Sequence, residues 1–322
     1  MHPSFVIIMN IPVVDLADFL NGDAATKQTF VNTLGKAYED VGFVAVKNHG
    51  IPESLIDDLY NYVEGFFAMP IAERAKYEIP GLAGQRGYTS FGKEHAKGFE
   101  AADLKEFFQF GQEVEDGDPI KSEYPENVVV NELPEFTPTL HKAYKAFEMS
   151  GTAMLQAIAL FLNLDEHFFD SQVHNGNSIL RAIYYPPITQ EPKSAIRAEQ
   201  HEDINLITLL VGASADGLQI LNLNNEWVPV TSLPGMIVVN VGDMLQRLTN
   251  NRLKSTTHRV VNPPKEQWGS PRFSIPFFMH PRTNMSLACL DSCIDEAHPK
   301  AYEDYTAGQY LEERLREIGL LK

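Results

Sequence analysis

The hydrophobic pattern changes period part-way along the chain. In the first half, apolar residues recur at helical spacing: Phe30, Leu34, Ala37, Tyr38 and Val41, then Leu55, Leu59, Val63 and Phe66. Pro52 precedes the second set, where a first helical turn accepts it. Between the two sets lies Gly42-Phe-Val-Ala-Val46, a short apolar strand candidate that runs into the turn signal Asn48-His49-Gly50. The stretches 81–97 and 111–130 are rich in Gly, Pro and charge and predict loops. Leu140, Tyr144, Phe147, Leu155, Ile158 and Leu162 predict a long helix over Pro138–Leu162.

From about Ile179 the period is that of strands. The candidates are Leu180–Tyr185, Ile204–Val211, Leu218–Asn222, Trp227–Val230, Ile237–Val241, His258–Val261 and Arg272–His280, separated by Pro, Gly or Asn. Thr306–Ile318 closes the chain as an amphipathic helix, with Tyr310, Leu311, Leu315 and Ile318 apolar. Many short strands with turn punctuation predict a jelly roll, a mainly β core within an α+β fold. The expected organisation is a single unit over 1–322. Within it, 10–135 forms helices and loops that cover the barrel, 136–178 a long supporting helix, 179–285 the β core and 286–322 a C-terminal helical segment.

Composition narrows the partners. The 26 basic residues against 43 acidic ones leave a formal charge of −17, which gives no electrostatic reason to bind nucleic acid or an anionic membrane. No apolar run reaches the length of a membrane span. Phe5–Met9 is too short for the core of a signal peptide, and Met9 is a second candidate for the start. Cys289 and Cys293 lack a second pair to complete a zinc site, so reduced thiols in a reducing cytoplasm are expected.

The chemistry is concentrated in a few polar residues of the β half. In a strand, residues i and i+2 share a face, so His201 and Asp203 point one way and Glu202 the other. His258 opens a later apolar strand and is placed to return beside them. Two imidazoles and one carboxylate fill one face of an Fe(II) octahedron and leave the other open for a co-substrate and O2. Arg272 and Ser274 are again i and i+2, in the apolar run Phe273-Ser-Ile-Pro-Phe-Phe-Met279. A buried guanidinium needs an anion, and a carboxylate fits it through two parallel hydrogen bonds. Zinc accepts the same His, Asp and His ligands. Arg272 could instead pair with a protein carboxylate, the favoured reading were the His, Asp and His set absent, and a hydrolytic zinc site would leave Arg272-x-Ser274 without a role.

The same residues belong to a wider set of motifs. In the first half these are Ile11-Pro-Val-Val-Asp-Leu16, Gly42–Gly50, Arg86-Gly-Tyr88 and Asp103-Leu-Lys-Glu106. In the second half they are Tyr184-Tyr-Pro186, His201-x-Asp203, Gly217-Leu-Gln219, Asn240-Val-Gly-Asp243, Ser255-Thr-x-His-Arg259 and Arg272-x-Ser274. On these motifs the chain resembles, over nearly its whole length, the 2-oxoglutarate- and iron(II)-dependent oxygenases of the isopenicillin N synthase-like branch. The resemblance implies a distorted double-stranded β-helix with iron at one mouth. It implies that His201, Asp203 and His258 are the iron ligands, and that Arg272 and Ser274 hold the distal carboxylate of 2-oxoglutarate. Tyr185 matches a tyrosine that adds a hydrogen bond there; Tyr184 would face the opposite way. The implied reaction uses Fe(II), 2-oxoglutarate and O2 to oxidise a small molecule, by default through hydroxylation, with release of succinate and CO2. Arg86, Tyr88, Phe107, Gln109, Arg181 and Phe278 are the candidates for holding that molecule. The arginines among them suggest a carboxylate such as an amino acid, although Arg181 can equally be structural.

This chain has Glu202 where threonine is common in the family, and its gap from His258 to Arg272 is long (272 − 258 = 14). The extra residues, around Lys265–Pro271, are expected to lengthen a hairpin loop. Two rivals keep the fold and change the function: an iron oxidase that draws all its electrons from substrate, and a non-catalytic β-barrel binding protein.

Overall fold

The structure, a computed structural model, describes residues 11–321 except 83, 97, 99, 100, 231–233 and 319. The run Phe5–Met9 and the candidate start at Met9 lie outside the described residues. The strands are β1 (Val13–Asp15), β2 (Phe43–Lys47), β3 (Gly87–Thr89), β4 (Glu106–Gly111), β5 (Ile179–Tyr185), β6 (Ala198–His201), β7 (Ile207–Val211), β8 (Leu218–Leu221), β9 (Trp227–Pro229), β10 (Met236–Val241), β11 (His258–Val260), β12 (Arg272–Ser274) and β13 (Pro276–Met279). The larger sheet runs β1-β2-β10-β7-β13-β5-β4-β3, with β12 also paired to β5, and the smaller runs β6-β11-β8-β9.

A period of two sorts the side chains of the larger sheet. Along β5, Leu180 and Ala182 enter the main core with the helices, while Ile179, Arg181, Ile183 and Tyr185 line a cavity. The same alternation gives Leu209 and Leu210 opposite fates on β7, Val239 and Asn240 on β10, and Phe277 and Phe278 on β13. One face of the sheet is therefore an apolar floor for helices. The other is the wall of a chamber that the smaller sheet helps to close.

Helix Phe136–Phe161 packs on the apolar face, where Phe147 stacks on Phe277 with centroids 5.6 Å apart. Small residues permit its close approaches. A Cβ at Gly151 would lie 2.5 Å from the Met279 sulfur, and one at Gly35, on helix Ala24–Asp40, 2.1 Å from the Phe161 ring. Helix Glu53–Ala68 adds Phe66, stacked on Phe136 at 5.3 Å. A capping box between Thr306 and Gln309 starts the last helix, Ala307–Glu317, and the Tyr310 hydroxyl donates to Asp243 at 2.9 Å. Among the described residues no helix is long and apolar enough to cross a membrane.

Several expectations need correction. The single strand expected over Arg272–His280 breaks at Ile275, because Pro276 has no N–H to give the ladder. β12 pairs with β5 alone, and β13 pairs with both β5 and β7. The expected loop 81–97 contains β3, and the strand expected from Ile204 begins at Ile207. β1, β4 and β6 were not in the expected set. β6, read Ala-Glu-Gln-His, has no apolar alternation to betray it and is held as a strand by its pairing with β11.

Candidate metal centre and the cavity beside it

β6 ends on His201 and β11 begins on His258, and the two histidines are direct partners across the antiparallel ladder. Asp203 lies just past the end of β6, not within it. The strand therefore delivers the first ligand, and the turn after it delivers the second. One ligand atom from each of His201, Asp203 and His258 lies within 4.8 Å of the others. Asp203 Oδ1 is 4.0 Å from His201 Nε2 and 3.7 Å from His258 Nε2.

The outward atoms of all three are already committed. His201 Nδ1 lies 2.6 Å from the Glu199 carbonyl and His258 Nδ1 3.1 Å from the Thr256 carbonyl. A carbonyl only accepts, so each Nδ1 carries the proton and each Nε2 offers a lone pair inward. Asp203 Oδ2 accepts from Thr208 Oγ1 at 2.6 Å and Asn240 Nδ2 at 2.8 Å, which leaves Oδ1 for the centre. Burial alone would raise the Asp203 pKa, but His258, His201, Asn240 and Thr208 hold it below the ordinary carboxylate value. Burial, and then the neighbouring His258, lowers that of His201. Two neutral imidazoles and a carboxylate with fixed outer hydrogen bonds are a fitting donor set for Fe(II). Glu202 is exposed and accepts a hydrogen bond from Thr257, so it turns away from the other two.

The triad opens on a cavity of about 470 Å³. Arg272 and Ser274 line it, as does Tyr185, whereas Tyr184 stacks on Phe273 on the opposite face. Arg272 is 2% exposed. Its Nε donates to the Ala215 carbonyl at 3.0 Å, its Nη1 is buried without a partner, and no carboxylate pairs with it among the described residues. A second guanidinium is in the same condition. Arg197 donates from Nη2 to the Ser270 carbonyl at 3.1 Å, and its Nε is buried and unpartnered. Burial, and then the charge of Arg272, pushes its pKa down to about 10. The two guanidiniums approach the Tyr185 ring at 5.0 and 5.9 Å. A buried cation without a counter-ion is costly, and here two stand together.

The six candidates for holding a substrate divide. Gln109, Arg181 and Phe278 line the cavity. Arg86, Tyr88 and Phe107 are buried and do not line it. The Arg86 guanidinium bonds Gln112 at 2.7 Å and fills the space above Gly111, where a Cβ would lie 1.9 Å from its Cζ. Tyr88 sits in the main core, its hydroxyl on Glu106, which also pairs with Arg74 at 2.8 Å. Phe107 lies under Arg181, 4.3 Å from guanidinium to ring centroid. Nothing in the sequence pointed to Arg197, Thr208 or Glu94; His95 stood out only as a histidine in a charged loop with no partner at ligand spacing, and Lys105 only as part of the Asp103-Leu-Lys-Glu106 motif. Asn240 was visible only as part of a motif, with no task attached.

Two family models match the chain: "non-haem dioxygenase in morphine synthesis N-terminal" over residues 11–135, and "2OG-Fe(II) oxygenase superfamily" over residues 176–281. Proline hydroxylase buaE of Petromyces alliaceus is 32% identical over 95% of this chain and 99% of its own length. A putative 2OG-Fe(II) oxygenase family protein from Caulobacter crescentus is 39% identical, with a TM-score of 0.85 over 96% of this chain and 99% of its own. A full-length Neurospora crassa protein, solved in complex with alpha-KG and thymine, is 29% identical, with a TM-score of 0.83 over 98% of each chain.

Proposed function

The chain belongs to the 2OG-Fe(II) oxygenase superfamily, and from that premise we propose how its own residues divide the work. It is an Fe(II)- and 2-oxoglutarate-dependent dioxygenase with hydroxylation-type chemistry on a small molecule. Bound together, iron, 2-oxoglutarate and O2 supply the oxidising power, with succinate and CO2 as co-products. His201, Asp203 and His258 would hold the iron, with Nε2, Oδ1 and Nε2 the atoms their outer hydrogen bonds leave free to do so. Thr208 and Asn240 fix which Asp203 oxygen faces it. Arg272 and Ser274 receive the far carboxylate of 2-oxoglutarate, and Tyr185 packs against the Arg272 guanidinium. The apolar walls of Ile183, Leu210, Val238 and Phe278 keep bulk water from the reacting C–H bond.

The observation that carries this reading is the buried, uncompensated Arg272 on the same cavity as a triad whose free ligand atoms converge. A hydrolytic zinc centre gives that cation no part in its chemistry, and a barrel that only binds has no need of the converging triad. Metal exchange tests it. Chelation is expected to abolish conversion of 2-oxoglutarate to succinate; Fe(II) restores it and Zn(II) does not. Restoration by zinc would sink the reading.

Arg197 is a positioning residue in the same account, adding positive potential behind Arg272. Arg197→Met is expected to weaken 2-oxoglutarate binding about tenfold, about 1.4 kcal/mol. It leaves unchanged the binding of 2-oxopentanoate, which lacks the far carboxylate. Calorimetry on the metal-loaded protein separates the two, since equal weakening of both would mark a merely structural role. The buried, unpaired thiols of Cys289 and Cys293 support placing the enzyme in a reducing cytoplasm.

A further inference from the structure

The substrate side of the cavity has closed its own charges. Arg181 donates from Nε to Gln109 Oε1 at 2.7 Å and from Nη1 to Glu94 at 3.2 Å. Its guanidinium lies over the rings of Phe107 and Phe278, at 4.3 and 5.2 Å. Lys105 pairs with Glu94 at 2.6 Å and with Asp103 at 2.8 Å. Glu94, Lys105 and Asp103 are all buried. Arg314, which reaches the cavity from the last helix, pairs with Glu313 and Glu317 at 2.6 and 2.8 Å. Among the described residues, Arg272 is thus the cavity cation that lacks a carboxylate, and 2-oxoglutarate claims it.

An acidic substrate could reach Arg181 only through Nη2, and it would bring its charge up against the Glu94 carboxylate that already answers the guanidinium. Burial would raise the Glu94 pKa, yet Arg181 and Lys105 hold it at about 2, so Glu94 stays charged and the pairing persists at any ordinary pH. A zwitterion would bring two further charges to desolvate beside an ion pair that is already satisfied. What remains for an incoming molecule is polar and neutral in sum. Among the described residues the Nη2 group of Arg181 has no hydrogen-bond partner, and beside it the Glu94 carboxylate, with about four acceptor positions, has capacity left. A donor next to an acceptor complements a carbonyl next to an N–H. Phe278, partly exposed on the cavity wall, offers a flat apolar face alongside.

We infer that this cavity takes an uncharged small molecule that presents an amide-like edge, a C=O beside an N–H, to Arg181 and Glu94. The inference rests on the dioxygenase reading, which assigns Arg272 to the co-substrate. It runs against the carboxylate that a bare count of arginines suggests.

The test uses three probes that share a fluorophenyl ring: the equal-sized pair 4-fluorobenzamide and 4-fluorobenzoate, and the larger zwitterion 4-fluorophenylalanine. Their binding is followed by 19F NMR on the full chain loaded with diamagnetic Zn(II) and saturated with 2-oxoglutarate, so that Arg272 is occupied. The amide is expected to bind at least tenfold tighter than either of the others. In Glu94→Gln, which leaves cations uncompensated, the benzoate gains at least tenfold. Wild-type protein that prefers the benzoate or the amino acid, or that distinguishes none of the three, overturns the inference, whether or not the variant folds. A failure of the dioxygenase reading shows separately, as absence of saturable 2-oxoglutarate binding in the same samples.

Discussion

Asp203→Ala is expected to abolish turnover and to weaken Fe(II) binding by more than about a thousandfold, roughly 4 kcal/mol. The carboxylate is the one anionic ligand in the triad, and both imidazole Nε2 atoms lie within 4.0 Å of its Oδ1. Loss of stability should be smaller than loss of function. Removing the side chain strands Thr208 Oγ1 and Asn240 Nδ2, at about 1–3 kcal/mol each, but it also removes a buried charge. The two effects offset in the metal-free protein. Asp203→Asn is the sharper comparison, because it keeps the shape and an acceptor for Thr208 while losing the charge. Iron titration and thermal unfolding on both variants separate the terms. Iron binding as tight as wild type in Asp203→Ala would remove the triad from the account.

Arg272→Ala is expected to raise the Kd for 2-oxoglutarate about a hundredfold, about 3 kcal/mol, while leaving the Fe(II) affinity within about twofold. The guanidinium is held in place before the ligand arrives, by the Ala215 carbonyl and the Tyr185 ring. Its unmet Nη1 donor is therefore preorganised and not recruited. Lysine should recover only part of the loss, since an ammonium cannot grip a carboxylate through two parallel bonds. A Kd unchanged in Arg272→Ala would assign the cation to something other than the co-substrate.

These residues were legible in the sequence for a simple reason. Arg272 and Ser274 are an i, i+2 pair inside β12, and a strand turns that spacing directly into a shared face, whereas His201 ends β6 and Asp203 reaches the same centre from the turn after it. The alternation along β5, β7, β10 and β13 was readable on the same ground; it says that Tyr184 and Tyr185 face opposite ways, while the choice of Tyr185 came from the family resemblance. What the sequence concealed depends on partners far along the chain. Glu94 lies in a stretch read as loop, and its importance comes from Arg181, 87 positions away. Arg86 looked like a pocket arginine next to Tyr88. Its destination is set by the missing side chain of Gly111, which only the folded pairing of β3, β4 and β5 reveals. β6 was invisible because pairing with β11, and not its own composition, makes it a strand. Arg197 carried no motif, and its unpaired condition is a property of its surroundings.

The Arg181–Glu94 pairing bears on how the enzyme would discriminate. A cavity with one unanswered cation can place its acidic co-substrate and its substrate without confusing them.

The most direct test of the account is anaerobic addition of 2-oxoglutarate to the Fe(II)-loaded protein, followed through the weak visible charge-transfer band of iron chelated by a 2-oxo acid. The band is expected to rise to saturation in wild type, to need far more 2-oxoglutarate in Arg272→Ala, and never to form in Asp203→Ala. Wild-type protein that binds iron and shows no band at any 2-oxoglutarate concentration would contradict it.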